Sequence, residues 1–263
     1  RAKKIAKFVD HILALFPFEP PYFHKAGVNC DFVGHPVVSE KIADENSITE
    51  FKKEYSITDE PIILCLPGSR KSEIDRLMKV FGKALDQFSN NFPNARFILP
   101  STPSVYEYSK IYLEYMPKDI VFLTPEKIGV ERYLKFKKAS FKISRLALAA
   151  SGTVSLELAA NNTPMVIGYD MNFLSREIIG FMLRTDTVNL VNLITGNRNI
   201  PECIGSNFNS EKLFLEMVRV YSNNLNQIKD FKTSMDLLGI NKEPPNVRAA
   251  NSLLSFCENF KTV

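Results

Sequence analysis

Several features that would point directly to a function are missing from this chain of 263 residues. Its four cysteines lie far apart and form no C-x-x-C pair, which disfavours a zinc site and is typical of a reduced, cytosolic protein. No apolar run reaches the roughly 18 residues of a membrane-spanning helix, and no signal peptide is recognisable. The formal net charge of +4 is too mild to indicate nucleic acid as a partner.

Two common phosphate-binding motifs are also absent. The sequence has no G-x-x-x-x-G-K-[ST], which disfavours a P-loop kinase or ATPase, and no G-x-G-x-x-G after its first strand, which disfavours a dinucleotide-binding dehydrogenase. It also has no D-x-D motif that could hold a metal ion. We therefore expect neither a metal nor another cofactor.

What the sequence does contain, from Pro61 onward, is a regular alternation of apolar runs and amphipathic stretches. The apolar runs cover residues 62–66, 96–99, 120–123, 146–150 and 164–168. The amphipathic stretches cover residues 72–90, 104–116, 127–138, 153–161 and 174–184, with further helices over 210–237 and 246–261. This pattern predicts an α/β fold, a Rossmann-like parallel sheet with helices on both faces.

The first sixty residues are less regular. Residues 1–13 have the apolar spacing of a helix with a basic opposite face, which indicates either an ordinary surface helix or one that lies on a membrane. Short strands are expected over 12–18 and 31–36, and residues 37–60 form a polar connection. Because the chain opens on Arg1, we expect it to be part of a longer protein.

Two short polar turns follow apolar strands and carry the strongest functional signal. The first is Leu66-Pro67-Gly68-Ser69-Arg70 and the second is Ser151-Gly152-Thr153. In an open parallel sheet such turns face the ligand crevice, where glycine permits close approach, hydroxyls and N–H groups donate, and arginine supplies a forked cation. Together they predict a site for a phosphorylated ligand, most simply a nucleotide.

Glu157 is the other informative residue, because it lies in an otherwise apolar helix. A carboxylate in such surroundings needs a partner. Acidic residues in other nucleotide sites accept hydrogen bonds from ribose hydroxyls. The alternative is a carboxylate turned to solvent or held in an ion pair.

At this point the motifs resemble a known family. The segments that carry the resemblance are Leu66–Arg70 with Glu73 and Ile74, Ala150–Thr153 with Glu157 and Pro164–Val166, Asn192 through Glu202, Phe16–Glu19, and Phe32–Pro36. In combination they resemble lipid-A-disaccharide synthase, an inverting glycosyltransferase of the GT-B type. The resemblance implies transfer from a UDP-2,3-diacylglucosamine donor to a 2,3-diacylglucosamine 1-phosphate acceptor through a β-1,6 bond, with release of UDP.

The resemblance also implies roles for individual residues in the donor half. Arg70 would contact the diphosphate and Glu157 the ribose. Gly68, Ser69, Ser151, Gly152 and Thr153 would line the phosphate crevice. Asn192 is expected to contact the donor, and Arg198 is a weaker candidate.

No catalytic base is assigned, because in this family it is expected in the amino-terminal half. His35, between a glycine and a proline, is expected to shape the hinge rather than to act in catalysis.

The resemblance implies a domain organisation. Residues 1–36 would be the tail of the amino-terminal acceptor domain, 37–60 a linker, 61–240 the UDP-sugar donor-binding domain, and 241–263 a carboxyl-terminal return helix. The chain alone would be inactive.

The resemblance also implies a location, a peripheral position on the cytoplasmic face of the inner membrane, with a homodimer as a further possibility. The basic block 136–142 could be a solvated helix end or could hold the protein against anionic lipid. Two other functions stay open: another UDP-sugar transferase or epimerase, and a non-catalytic nucleotide-binding or dimerisation module.

Overall fold

In the computed structural model, the described residues are 2–170 and 187–260. The amino-terminal part forms a small parallel sheet of two strands, with His11 opposite Asn29 and Ala14 opposite Phe32. Its elements, in order, are α1 (Ala2–Ile5), β1 (His11–Ala14), α2 (Pro20–His24) and β2 (Asn29–Phe32). A 3-10 turn (Pro36–Ser39) and helix α3 (Glu45–Glu54) then lead into the larger part of the chain.

The larger part is built on a six-stranded sheet in which every pairing is parallel. Its elements are β3 (Ile62–Leu66), α4 (Lys71–Asn91), β4 (Arg96–Pro100), α5 (Pro103–Ser109), a 3-10 turn (Lys110–Tyr115), β5 (Val121–Leu123), α6 (Pro125–Ile128), α7 (Val130–Ile143), β6 (Ser144–Ala149), α8 (Val154–Ala160), β7 (Met165–Tyr169), α9 (Leu190–Thr195), β8 (Glu202–Ile204), a 3-10 turn (Gly205–Asn207), α10 (Ser210–Ser222), α11 (Leu225–Leu238) and α12 (Pro245–Phe260). The strand order is β5-β4-β3-β6-β7-β8.

The central strands are buried on both faces, which explains why they read as continuous apolar runs. Alternate residues of β3 enter different cores: Ile62 and Leu64 pack with Phe136 on one side of the sheet, and Ile63 packs with Phe81 on the other. Helices therefore cover both faces. The predicted fold class, a Rossmann-like parallel sheet with helices on both faces, is confirmed.

Two predicted helices differ in the structure. Residues 1–13 do not form one helix, because only Ala2–Ile5 is helical while His11–Ala14 pairs with β2 as a strand. The apolar face of the predicted helix has no core to cover, since Phe8 is 85% exposed. The helix predicted over 210–237 is two helices, because the backbone is extended at Asn223, where α10 ends. The helix predicted over 174–184 lies outside the described residues.

The last helix, α12, returns to the amino-terminal part of the chain. Its Arg248 Nη2 donates to the carbonyl of Phe32 at 2.7 Å, and the guanidinium lies 5.0 Å from the centre of the Phe32 ring. One turn further along α12, Ser252 Oγ donates to Asp31 and lies 2.9 Å from His11 Nε2. These contacts fix the small sheet beside the larger part of the chain.

Candidate functional site

The two polar turns lie side by side at the carboxyl edge of the sheet. Their strands, β3 and β6, are neighbours, and the Ala150 N–H donates to the Leu66 carbonyl at 2.8 Å where the turns begin. The strand order reverses here, because β4 and β5 lie beyond β3 while β7 and β8 lie beyond β6. Ligands of open α/β sheets bind at such a switch point.

The first turn, Pro67–Arg70, is held by the carboxylate of Glu73. Glu73 Oε2 accepts hydrogen bonds from the N–H groups of Ser69 at 2.8 Å and Arg70 at 3.1 Å. Glu73 Oε1 accepts from Arg70 Nη1 at 3.0 Å. The arrangement includes a capping box at the start of α4.

Gly68 makes this arrangement possible. Its φ of +109° is a conformation that side chains disfavour, and a Cβ there would lie 2.2 Å from Glu73 Oε2. The glycine therefore leaves room for a carboxylate to sit directly over the turn.

The second turn, Ser151–Thr153, is held from a distance in the sequence. Ser151 Oγ donates to the carbonyl of Val188 at 3.0 Å, across the end of the sheet. The N–H of Val188 donates in turn to Glu202 Oε1 at 2.9 Å. The position of this turn therefore depends on the segment that precedes α9 and on β8.

Both turns line one cavity of about 440 Å³. Seven of the nine site residues predicted from the sequence are in its lining: Gly68, Ser69, Arg70, Ser151, Gly152, Thr153 and Glu157. The remaining lining residues are Leu66, Glu73, Pro100, Thr102, Tyr133, Lys137, Phe141, Ala150 and Val154. The fold thus brings together residues that are almost ninety positions apart in the sequence.

Glu157 forms an ion pair within the cavity. Its Oε2 accepts from Lys137 Nζ at 2.8 Å, and both side chains are about 30% exposed. Nearby, burial is the main cause that raises the pKa of the Tyr133 hydroxyl, with the Glu157 charge adding to it. The tyrosine therefore stays protonated at neutral pH and is able to donate a hydrogen bond.

Asn192 does not line the cavity. It is fully buried, and its side chain joins two segments: Nδ2 donates to the Ile200 carbonyl at 2.9 Å and to Glu202 Oε2 at 3.1 Å, while Oδ1 accepts from the Ile200 N–H at 3.1 Å. Through Glu202 and Val188 this network reaches Ser151. The contacts make Asn192 a support for the second turn, and its direct contact with the donor stays a prediction.

Arg198 also lies outside the cavity lining. Its Nη1 donates to the carbonyls of Asn197 at 2.6 Å and Asn192 at 3.4 Å. A guanidinium at the last carbonyls of a helix stabilises the helix end. This placement is typical of a residue that closes α9.

His35 directly precedes the 3-10 turn Pro36–Ser39, and its role in shaping a hinge stays a prediction. Its Nδ1 accepts from the Val37 N–H at 3.2 Å, and its ring stacks on Phe16 with the ring centres 5.5 Å apart. Burial lowers the pKa of the imidazole, so it is neutral at pH 7. The Nδ1 contact orients the 3-10 turn that follows.

Glu73, Tyr133 and Lys137 also line the cavity, and their roles there were not predicted from the sequence. Glu73 had a local signal, because an acidic residue three positions after the start of a helix favours a capping box. Lys137 had none, since it pairs with a carboxylate twenty residues further along the chain. Only the fold brings Lys137 of α7 and Glu157 of α8 together.

Within residues 2–170 and 187–260, no helix has both the length and the apolar character needed to cross a membrane. The same ranges contain no group of three or more His, Cys, Asp or Glu side chains arranged for a metal ion. Burial raises the pKa of the Cys203 thiol to about 11, so that cysteine is not a nucleophile at neutral pH.

The parallel sheet, its switch point and the polar cleft beside it define a Rossmann-like ligand-binding domain of the kind found in GT-B glycosyltransferases. Comparison with known sequences identifies the family. The family model described as lipid-A-disaccharide synthetase matches residues 1–253, and the chain belongs to this family.

A curated relative, the lipid-A-disaccharide synthase of Ruegeria pomeroyi, is 42% identical over 254 residues. The alignment covers 97% of this chain and 63% of the relative. The chain therefore spans less than two thirds of the length of the relative it matches.

Solved structures share the fold at much lower identity. The S. aureus MnaA–UDP co-structure has a TM-score of 0.65 and 14% identity, covering 97% of this chain and 61% of that one. E. coli ADP-heptose lps heptosyltransferase II has a TM-score of 0.50 and 12% identity, covering 69% of this chain and 53% of that one.

Proposed function

We propose that this chain carries the donor-binding half of a glycosyltransferase of lipid A biosynthesis. The reaction would join UDP-2,3-diacylglucosamine to 2,3-diacylglucosamine 1-phosphate and release UDP. One observation carries the proposal: in a chain that belongs to the lipid-A-disaccharide synthetase family, seven residues assigned to the donor line a single cavity.

The cavity supplies the groups that a nucleoside diphosphate needs. The two turns offer N–H and hydroxyl donors, and Arg70 adds a guanidinium beside them. Hydrogen bonds to charged groups contribute roughly 1.5–3 kcal/mol each. On the other side of the cavity, the Glu157 carboxylate would accept hydrogen bonds from ribose hydroxyls after giving up part of its contact with Lys137.

The same groups would assist the transfer step. As the acceptor hydroxyl attacks the anomeric carbon, the bond to the diphosphate breaks and negative charge grows on the leaving group. Arg70 at that position would stabilise the transition state more than the bound donor. We assign no general base, because the resemblance places it in the amino-terminal half. Among the described residues that line the cavity, the carboxylates of Glu73 and Glu157 are paired with cations of this chain.

Calorimetric titration with UDP, uridine and ADP tests the proposal directly. We expect UDP to bind and uridine to bind at least tenfold more weakly, because uridine lacks the diphosphate. ADP carries the same diphosphate on a different base, so the difference in affinity between UDP and ADP measures recognition of the base. Equal affinity for UDP and uridine would contradict the diphosphate site.

We also propose that the protein is peripheral to the cytoplasmic face of the inner membrane. Helix α7 exposes Val130 (66%) and Leu134 (52%), with the exposed Lys138 one turn further on. Apolar side chains beside lysines favour contact with anionic lipid. Sedimentation with anionic but not with zwitterionic vesicles is the expected result, and no difference between them would oppose the proposal.

A homodimer is a further proposal. The exposed Leu253 and Leu254 of α12 support it, because neighbouring exposed leucines on a helix are a common feature of subunit contacts. Sedimentation equilibrium should show a dimer, and a monomer at every concentration would rule it out.

A further inference from the structure

The carboxylate of Glu73 occupies the position that the first turn offers to an anion. Two backbone N–H groups, from Ser69 and Arg70, and one guanidinium N–H, from Arg70, all donate to it. These are the donors that the proposed function assigns to the diphosphate. Backbone N–H groups and a guanidinium that converge on one anion are the usual surroundings of a bound phosphate.

Helix capping accounts for only part of this arrangement. In a capping box the carboxylate at the third helical position accepts one hydrogen bond, from the N–H of the residue that precedes the helix, and the side chain of that residue contacts the N–H at the third position in return. Here the carboxylate also accepts from Ser69 and pairs with the guanidinium, and Glu73 lines the cavity. Its side chain is 17% exposed while that of Arg70 is 77% exposed, so the carboxylate is enclosed and the guanidinium is able to move.

A diphosphate that enters this cavity meets a carboxylate of the same sign. The diphosphate and the Glu73 carboxylate would compete for Arg70 and for the N–H groups of Ser69 and Arg70. Two anions that share these donors would also repel each other. Binding therefore requires an exchange in which Arg70 leaves Glu73 for the phosphate. If an anion binds only the exchanged state, its observed affinity equals its affinity for that state multiplied by the fraction of molecules in that state.

We propose that the Glu73 carboxylate occupies the position of a donor phosphate while the cavity is empty. When the donor binds, its diphosphate replaces Glu73 as the partner of Arg70. The inference rests on the proposed function, because it takes the diphosphate to bind at the first turn. Glu73 is thus a positioning residue that holds the turn and the guanidinium in place while the cavity is empty. It also limits affinity for anions, which favours release of the product UDP.

The Glu73→Gln variant tests the inference, because glutamine keeps the cap and removes the charge. We expect this variant to bind UDP and inorganic pyrophosphate three- to tenfold more tightly than the unmodified chain, with no change for uridine. A purely structural role would not produce this selectivity for the diphosphate. Asp86→Asn is the matched control, since Asp86 is exposed on the same helix outside the cavity lining and its loss changes the net charge equally.

The outcomes separate the two proposals. If the unmodified chain binds UDP and Glu73→Gln binds it equally or more weakly, the proposal that Glu73 occupies the phosphate position is wrong and the proposed function stands. If neither protein binds UDP or pyrophosphate, both proposals fail. Thermal unfolding of Glu73→Gln and Asp86→Asn shows whether the helix cap is intact. Glu73→Ala removes the cap as well as the charge, and its unfolding temperature and UDP affinity serve as the reference for a turn that has lost its cap.

Discussion

The two turns that line the cavity are built in different ways. The first turn is held locally, by a carboxylate that lies three residues from the guanidinium it binds. The second turn is held by contacts that span the sequence, with Ser151 bonded to Val188 and Glu157 paired with Lys137. One side of the site is therefore encoded within a few residues, and the other depends on the whole sheet.

Because of this difference, we expect substitutions in the first turn to change ligand binding and substitutions behind the second turn to change the free energy of unfolding. A substitution in the first turn removes exposed contacts, and exposed ion pairs contribute little to the free energy of unfolding. A substitution in the support of the second turn leaves buried polar groups without partners, which costs about 1–3 kcal/mol for each group. Variants on the two sides should consequently fail in different measurements.

The largest effect is expected for Asn192→Ala. The substitution removes four hydrogen bonds, the longest of them 3.4 Å to Thr187, and leaves the N–H and carbonyl of Ile200 buried without these partners. We expect a loss of about 2–3 kcal/mol in the free energy of unfolding, measured by urea denaturation. Weaker UDP binding should accompany it, because the network reaches Ser151.

Asn90→Ala is the control for this variant, since Asn90 is exposed on α4 and should change stability by less than about 0.5 kcal/mol. Full stability of Asn192→Ala would show that the network does not support the second turn. Full stability combined with weak UDP binding would instead favour the direct donor contact predicted from the sequence.

The next effect concerns the first turn. Arg70→Ala should weaken UDP binding at least tenfold, about 1.4 kcal/mol, because the proposed donor site assigns this guanidinium to the diphosphate. The free energy of unfolding should change by less than about 0.5 kcal/mol, since Arg70 is largely exposed. Calorimetry and urea denaturation of the same preparation measure both.

Arg76→Ala is the matched control, because Arg76 is exposed on α4 and is not among the residues that line the cavity. An unchanged UDP affinity in Arg70→Ala would remove the diphosphate from the first turn. A loss of stability as large as that of Asn192→Ala would remove the contrast between the two turns.

The contrast also explains what could be predicted from the sequence. Five of the six strands and the first turn were predictable because apolar runs mark buried strands and the Gly68–Arg70 motif is continuous, whereas the three-residue strand β8 was not predicted. The seven site residues that line the cavity could be named because both turns follow apolar strands and Glu157 lies in an apolar helix, and the family resemblance implied their roles. An ion pair of Glu157 was among the alternatives, but its partner Lys137 and the burial of Asn192 were not predictable, because they arise from helices and strands that meet only in the folded chain.

Residues 1–13 show the limit of periodicity alone. Their apolar spacing fits a helix, but the last three residues of the segment, 11–13, pair with β2 instead. The hydrogen bonds of a strand partner outweigh a short amphipathic pattern that has no core to cover.

The smallest effect is expected for the ion pair between Lys137 and Glu157, on the side of the cavity that holds the second turn. A double-mutant cycle with Lys137→Met and Glu157→Gln should give a coupling of about 0.5 kcal/mol in the free energy of unfolding, because both side chains are partly exposed. Urea denaturation of the single variants, the double variant and the unmodified chain provides the four values. Added salt should reduce the coupling, since partly exposed charges are screened.

A small coupling would mean that Glu157 can exchange Lys137 for ribose hydroxyls at little cost, as the proposed donor site requires. A coupling above about 2 kcal/mol would mean that the pair is structural and that the carboxylate is not available to a ligand. In that case the first side of the cavity would bind the diphosphate without a ribose contact opposite it, and UDP and 2′-deoxy-UDP would bind equally.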